Sequence, residues 1–431
     1  MRIEVLRTQV PFVHGGAERH GANLVAALRA RGHEAAEVTL PFKWYPGDVL
    51  AQHIQAAKLL DVSVVAGVPV ELAIGLKSPA WLARHPNKGC WVIHQHRQAY
   101  DMWEAGQSDL LDDPQGEALR AFIRSEDAAA FDATSHPIFA NSANVAARIR
   151  RFNNLEATPL YHPPPNADAL RAGPYGDYIF APGRLNPSKR LDLVLRALVH
   201  APAARLVVAG QAENPAYADH LQALGRELGV AGRIDWLGGV DDAALIRHYA
   251  HARAVVFAPA DEDYGYIALA AMLAAKPVIT VSDAGGPLEF IRDGQQGLVS
   301  PPDPAALGAA MQGLAEDAGR AERLGQGARE RYAAQNISWD TVVATLTGQT
   351  PTPVAPDAAP PASLPSAPAS APDPDDATAQ LAAAVAPPAS PEGLAFDNIG
   401  QVLEAYAFDE LPAAMGQAEP PIDPGLSSYL G

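Results

Sequence analysis

A single cysteine, Cys90, in 431 residues excludes an intramolecular disulfide framework and fits a reducing compartment. No stretch approaches the ~18 consecutive apolar residues of a transmembrane helix. The first ten residues lack the charged-then-apolar pattern of a secretory leader and read as a strand. Basic residues stop early. From residue 332 onward there is no Lys or Arg but there are twelve Asp and Glu, so −12 of the formal −17 lies in the last hundred residues. The first 331 residues carry only −5 and are those of an ordinary, mildly acidic protein. An acidic total gives no reason to expect binding to a nucleic-acid backbone. Two phosphate signatures are missing as well: neither G-x-G-x-x-G nor the Walker pattern G-x-x-x-x-G-K occurs. The expected address is the cytoplasm.

What is there, over roughly 350 residues, is alternation of short apolar runs with helix-period segments, the pattern of parallel sheets built from βαβ units. Strands are expected at Arg2–Gln9, Val62–Ala66, Cys90–His94, Pro137–Ala140, Tyr178–Ala181, Arg205–Ala209, Arg233–Leu237, Ala254–Pro259 and Pro277–Val281. Helices are expected from about Ala17 to Arg31, Arg190 to Val199, Tyr217 to Leu228, Asp241 to His251 and Tyr266 to Ala275. In the second of these, Leu191, Val194, Leu195 and Leu198 fall on one face. The prolines Pro163–Pro165 separate two such series. The fold class is therefore α/β, with two doubly wound Rossmann-like domains, 1–165 and 166–347, facing across a cleft. Residues 351–391 hold twelve prolines among Ala, Ser and Asp, too little apolar surface to offset chain entropy. A disordered linker is expected over 348–391, followed by an acidic tail, 392–431. Within that tail Phe396, Ile399, Val402, Leu403 and Tyr406 share one helix face that could dock a protein partner.

Four strand-to-helix junctions carry candidate chemistry. His14-Gly15-Gly16-Ala17-Glu18 lets backbone approach a ligand closely at a helix N-terminus. Gly183-Arg184-Leu185-Asn186-Pro187-Ser188-Lys189-Arg190 places cations at the carboxyl end of a strand, where open α/β sheets bind ligands; they suit a diphosphate. Asp261-Glu262-Asp263-Tyr264-Gly265-Tyr266-Ile267 sets acids before a helix, and Gly285-Gly286-Pro287-Leu288-Glu289 opens another. The Asp261-x-Asp263 spacing, and Cys90 with His94 and His96, supply too few ligands for a metal, so none is expected. The helix around Arg148, Arg150 and Arg151 could rest on anionic lipid, or be a solvated face.

These segments, in this order, resemble the retaining family-4 glycosyltransferases of the two-Rossmann (GT-B) type, over residues 1 to about 347. Supporting stretches are Arg31-Gly32-His33-Glu34, Leu237-Gly238-Gly239-Val240, Pro277-Val278-Ile279 and Asp293-Gly294…Gly297-Leu298-Val299. The resemblance implies a metal-independent transferase with no cofactor. It would move a hexose from a nucleotide-diphosphate sugar to a polysaccharide or lipid-linked oligosaccharide, with peripheral contact at the inner face of a membrane. It implies that Arg184 and Lys189 hold the diphosphate and that Glu262 and His94 touch the transferred sugar. Gly16, Gly238, Val240, Tyr264, Gly265, Tyr266 and Ile267 would line the donor site, with Gly15, His96 and Arg97 on the acceptor side. One position departs: Ala270 stands where the family carries a second glutamate. The rival expectation is thus a catalytically weakened sugar-nucleotide-binding or scaffold protein.

Overall fold

The computed structural model describes residues 1–12, 15–212 and 214–349. His14, most of the linker and the whole acidic tail, including the expected helix around Phe396–Phe408, lie outside the described residues. The first series of elements comprises β1 (Arg2–Gln9), α1 (Gly16–Ala30), β2 (Glu34–Pro41), α2 (Gly47–Leu59), β3 (Val64–Val65), β4 (Val68–Pro69) and β5 (Leu72–Lys77). It continues with β6 (Lys88–His94), α3 (Asp101–Glu104), α4 (Gly116–Asp132), β7 (Phe139–Ala140), α5 (Ala143–Asn153) and β8 (Thr158–Pro159). The second series begins with β9 (Tyr178–Pro182), α6 (Leu191–Val199), β10 (Arg205–Ala209), α7 (Pro215–Glu227), β11 (Ile234–Trp236), α8 (Asp242–His251) and β12 (Ala254–Val256). It ends with α9 (Tyr266–Leu273), β13 (Val278–Val281), α10 (Pro287–Phe290), β14 (Gly297–Ser300), α11 (Pro304–Glu316), α12 (Ala318–Ala334) and α13 (Trp339–Thr347).

Each series forms one six-stranded parallel sheet. The first runs β2-β1-β5-β6-β7-β8 and the second β11-β10-β9-β12-β13-β14. Strand side chains alternate between two buried layers, which is why these strands read as continuous apolar runs. In β10, Leu206 and Val208 enter one core, while Val207 and Ala209 enter the other. The order in which strands are added reverses between β1 and β5 in the first sheet, and between β9 and β12 in the second. The carboxyl ends of those strand pairs are therefore the crevices where such sheets take ligands.

Local chemistry explains several boundaries. Asp241 caps α8 as its sequence position suggested, Oδ1 accepting the Ala244 amide at 2.7 Å. Ser142 caps α5 in the same way, accepting the Val145 amide at 3.0 Å. The stretch Val62–Ala66 was expected to supply a sheet strand and does not. Ala66 and Gly67 take positive φ and turn the chain into the small exposed β3–β4 pair. The sheet position falls to β5, whose six residues are all buried and show no alternation to read. The strand β2 and the helix α2 also escaped the sequence reading. Finally, α13 returns to the first sheet: Val342, Val343 and Leu346 join Ile3, Leu24 and Leu28 in one core, and Arg31 meets Asp340 at 2.6 Å. Among the described residues, no helix is long and apolar enough to cross a membrane.

Candidate active site

The turn after β9 delivers two cations to the reversal point of the second sheet. Asn186 Oδ1 accepts from Ser188 Oγ at 2.8 Å and from the Lys189 amide at 3.3 Å, which fixes the turn that carries Lys189. Lys189 Nζ donates to Glu262 Oε2 at 2.5 Å, so the acid after β12 and the cation after β9 meet across the crevice. Arg190 is a staple: its guanidinium binds the carbonyls of Ala258 and Pro259 and the Asp283 carboxylate at 2.7 Å. Arg184 extends to the first lobe. A Cβ on Gly15 would sit 3.1 Å from Arg184 Cζ, so glycine there permits the approach of the guanidinium. Gly265, at φ +99, starts α9 in a conformation that a side chain would oppose, since its Cβ would also lie 2.9 Å from Pro287.

Two adjoining cavities share Lys189 and Glu262 as a common wall. The first, about 620 Å³, is lined by Gly15, Gly16 and Arg19 from the first lobe and by Arg184, Gln211, Val240, Tyr249, Tyr266, Ile267 and Ala270 from the second. The other, about 550 Å³, is lined by His94, Arg97 and Asp101 against Ser188, Asp261 and Asp263. His94 ends β6. Its Nδ1 faces the Gln95 carbonyl at 2.6 Å, and its buried Nε2 has no partner. Burial, reinforced by the Lys77 ammonium, pushes His94 down to about 4, so the imidazole is neutral at pH 7.

A charged network ties the second cavity across the lobes. Arg148 donates to Asp263 Oδ1 at 2.6 Å and to Asp261 Oδ2 at 2.9 Å. Arg97 binds Asp261 Oδ2 at 2.9 Å and Asp101 Oδ2 at 2.5 Å. Asn144 Nδ2 holds Asp261 Oδ1 at 2.7 Å, and Asp261 itself has a left-handed backbone, φ +43. Burial alone would raise the Asp263 carboxyl. The Arg148 and Arg97 guanidiniums outweigh it and hold it below the usual carboxylate range. Nearby, Glu289 crosses from α10 to the start of α5, accepting from the Ala143 and Asn144 amides at 2.9 and 2.8 Å and from Tyr161 Oη at 2.7 Å.

The structure brings Gly15, Gly16, Arg184, Lys189, Val240, Glu262, Tyr266 and Ile267 together around the larger cavity, and His94 and Arg97 around the other. Gly238 lines neither; its carbonyl accepts the Gly210 amide. Tyr264 is buried, its hydroxyl donating to the His162 carbonyl at 2.6 Å and accepting from the His162 amide at 2.9 Å. Gly265 serves as the start of α9. His96 packs edge-on to Phe42 and lines neither cavity. Of the basic residues of α5, Arg148 turns inward, while Arg150 and Arg151 stay exposed and pair with Glu156 and Glu104. Sequence reasoning missed His162, which accepts or donates to Tyr266 Oη at 2.6 Å, and Lys77, which ends β5 beside His94. The only sequence signal for either was position: a residue just before the proline run, and a lysine closing an apolar stretch. Among the described residues, no group of His, Cys, Asp or Glu is arranged to hold a metal ion.

The two-sheet arrangement with a site at facing carboxyl ends defines the GT-B class of fold. It is matched by HepE of Anabaena, solved with UDP and glucose (TM-score 0.61, 16% identity, 81% of this chain and 98% of that one). Sucrose-phosphate synthase of Thermosynechococcus elongatus matches similarly (TM-score 0.61, 19% identity, 80% and 97%). More particularly, residues 171–331 match the family model described as "Glycosyl transferases group 1". The chain is 35% identical over 169 residues to D-inositol 3-phosphate glycosyltransferase of Mycobacterium marinum, 38% of this chain and 36% of that protein. It is 32% identical over 168 residues to an uncharacterized glycosyltransferase of Methanocaldococcus jannaschii, 37% of this chain and 42% of that protein. Each match thus spans less than half the length of these relatives.

Proposed function

We propose that the chain is a metal-independent retaining glycosyltransferase. It moves a hexose from a nucleotide-diphosphate sugar to a polysaccharide or lipid-linked oligosaccharide. The observation that carries this reading is the meeting of Arg184, Lys189 and Glu262 at the reversal point of the second sheet, opposite Gly15 and Gly16. The relatives named as glycosyltransferases and the GT-B likeness support the same donor class. The nucleotide occupies the larger cavity, its diphosphate against Arg184 and Lys189. The hexose lies on the Glu262 and His94 side, and the acceptor enters through the cavity beyond.

In the reaction, the bond between the anomeric carbon and the phosphate oxygen breaks and negative charge builds on the diphosphate. Arg184 and Lys189 stabilise that charge from fixed positions, at no reorganisation cost. The acceptor hydroxyl oxygen bonds to the anomeric carbon on the face the phosphate leaves, and its proton passes to a released phosphate oxygen. Glu262 orients Lys189 and accepts hydrogen bonds from sugar hydroxyls. The Nε2 of neutral His94 serves the sugar as a hydrogen-bond partner without adding charge.

The test is hydrolysis or transfer with a panel of UDP-, GDP- and ADP-hexoses. Turnover of one donor, reduced about 10²–10³-fold in Arg184→Ala, is the expected result. No turnover of any donor, with nucleotide binding intact, favours the second reading, a sugar-nucleotide-binding protein. That reading is motivated by Ala270, which lines the cavity where a second carboxylate would stand.

A further inference from the structure

Lys77 is a buried cation that lines neither cavity, and the charged groups near enough to act on it are Glu18, Arg184, Asp263 and Arg7. It closes β5 and is the cross-strand neighbour of His94 at the carboxyl edge of the first sheet, just past a register shift at Gly75. Such an irregularity re-aims a side chain at a strand end. Lys77 is 8% exposed and His94 7%. The nearby lysine Lys88 shows how a buried ammonium is ordinarily satisfied: it donates to the Trp81 and Ala83 carbonyls at 2.7 and 3.3 Å. Lys276 does the same with Gly173 and Pro174. Among the described residues, Lys77 Nζ has neither a hydrogen bond nor an ion pair. Beside it the His94 Nε2 is likewise without a partner, and His94 lines the smaller cavity.

Lys77 and His94, each more than nine-tenths buried, therefore stand side by side at the carboxyl edge of the first sheet, and His94 lines the smaller cavity. Burying an unpaired ammonium is costly, and an anion within contact distance offsets that cost. The carboxylates of the smaller cavity are already held by Arg97, Arg148 and Lys189. Glu18 is engaged by the Gly15 amide at 2.7 Å and lies near Arg7. Arg184 and Lys189 serve the diphosphate from the opposite lobe. The charge left over belongs to the saccharide.

We propose that Lys77 and His94 form a subsite for an anionic substituent, a carboxylate or a phosphate, on the saccharide bound on the first-lobe side of the Lys189–Glu262 pair. The inference rests on the glycosyl-transfer reading and narrows its substrate class to acidic sugars. Lys77 donates to the anion, and neutral His94 bonds an adjacent oxygen. Burial lowers the pKa of Lys77, and a bound anion restores its charge.

The experiment compares matched substrates in the full-length protein and in Lys77→Met and Lys77→Arg. The donor arm sets UDP-glucose against UDP-glucuronate and GDP-mannose against GDP-mannuronate, by binding and hydrolysis. The acceptor arm sets glucose against glucose 6-phosphate and glucuronate, with whichever donor turns over. A preference of about ten- to a hundred-fold for the acidic member in one arm is expected, since a charge-assisted hydrogen bond is at stake. Lys77→Met should abolish that preference and Lys77→Arg should keep most of it. The arm showing it tells whether the anion is on the transferred or the accepting sugar. Methionine replaces a buried charge with an apolar chain of similar length, a change that buried sites tolerate. Neutral substrates used as well as acidic ones in both arms, or a preference unchanged in Lys77→Met, overturns the subsite while leaving the transferase reading intact. Failure to bind any of these donors, together with an inert Arg184→Ala, overturns both.

Discussion

The Arg148–Asp263 pair offers a quantitative test of the network that joins the two lobes. Arg148 leaves α5 of the first lobe with its side chain 5% exposed, and meets Asp263, 12% exposed, at 2.6 Å. Removing one member of a buried ion pair typically costs 3–5 kcal/mol, because the other charge is left unpaired. Arg97, at 3.9 Å from Asp263, partly compensates, so Arg148→Met should cost about 3 kcal/mol. Asp263→Asn should cost less, because Arg148 keeps Asp261 at 2.9 Å and Asp101 at 3.7 Å. The double variant should then fall short of the sum by roughly 1.5–3 kcal/mol, the coupling expected of residues in one network. Urea unfolding, followed by tryptophan fluorescence and far-UV circular dichroism, measures all four proteins. The sign with pH is also fixed. A carboxyl held below its unfolded value of about 3.9 contributes stability that is present above that pH and lost as pH falls below it. The wild type should show this acid-side loss and Arg148→Met a smaller one, since Arg97 remains near Asp263. Effects that add to within about 0.5 kcal/mol would refute the claim that this contact holds the acidic loop.

Three further outcomes follow from other parts of the molecule. Ala270→Glu should tighten nucleoside-diphosphate binding about tenfold by isothermal titration, because it returns a charge-assisted acceptor to the wall of the larger cavity; weaker binding would mean that another group already fills the position. Asp127 is buried beneath Trp81 Nε1 and Tyr100 Oη, both at 2.9 Å, and burial pushes its carboxyl up to about 6. The folded protein then keeps a proton that the unfolded chain releases near 4, so this group costs stability as pH rises from about 4 to 6. Asp127→Asn should gain roughly 2 kcal/mol on the wild type between pH 4 and 7 in urea unfolding, and a flat difference would contradict the shift. A chain ending at residue 349 should bind its nucleotide as tightly as the full chain, since the lining of both cavities falls between residues 15 and 270. Lost binding would assign residues 350–431 a part in the site.

Much of this was legible in the residues because it is local. The cationic turn at Arg184–Lys189 and the acidic loop at Glu262 each follow a readable strand, and parallel topology alone brings those strand ends together. The first lobe was harder. Fully buried β5 shows no alternation, and β2 and α2 carry no strong turn signal, so Lys77 was hidden at the end of an unrecognised strand. Arg148 misled for a different reason. Helix periodicity places an arginine on a face but does not say that the face meets two aspartates 113 and 115 residues further on. The sequence position of Tyr264 resembles that of a donor-site residue, yet its hydroxyl is taken up by the His162 backbone, just before the proline run Pro163–Pro165.

A crystal structure with a nucleoside diphosphate bound would test the assignment of Arg184 and Lys189 to the diphosphate. The diphosphate should lie within hydrogen-bond distance of Arg184 and Lys189, with the Gly15–Gly16 turn opposite and the nucleoside toward Val240 and Ala270. A diphosphate bound elsewhere, with Lys189 still held by Glu262 and Arg184 untouched, would contradict it.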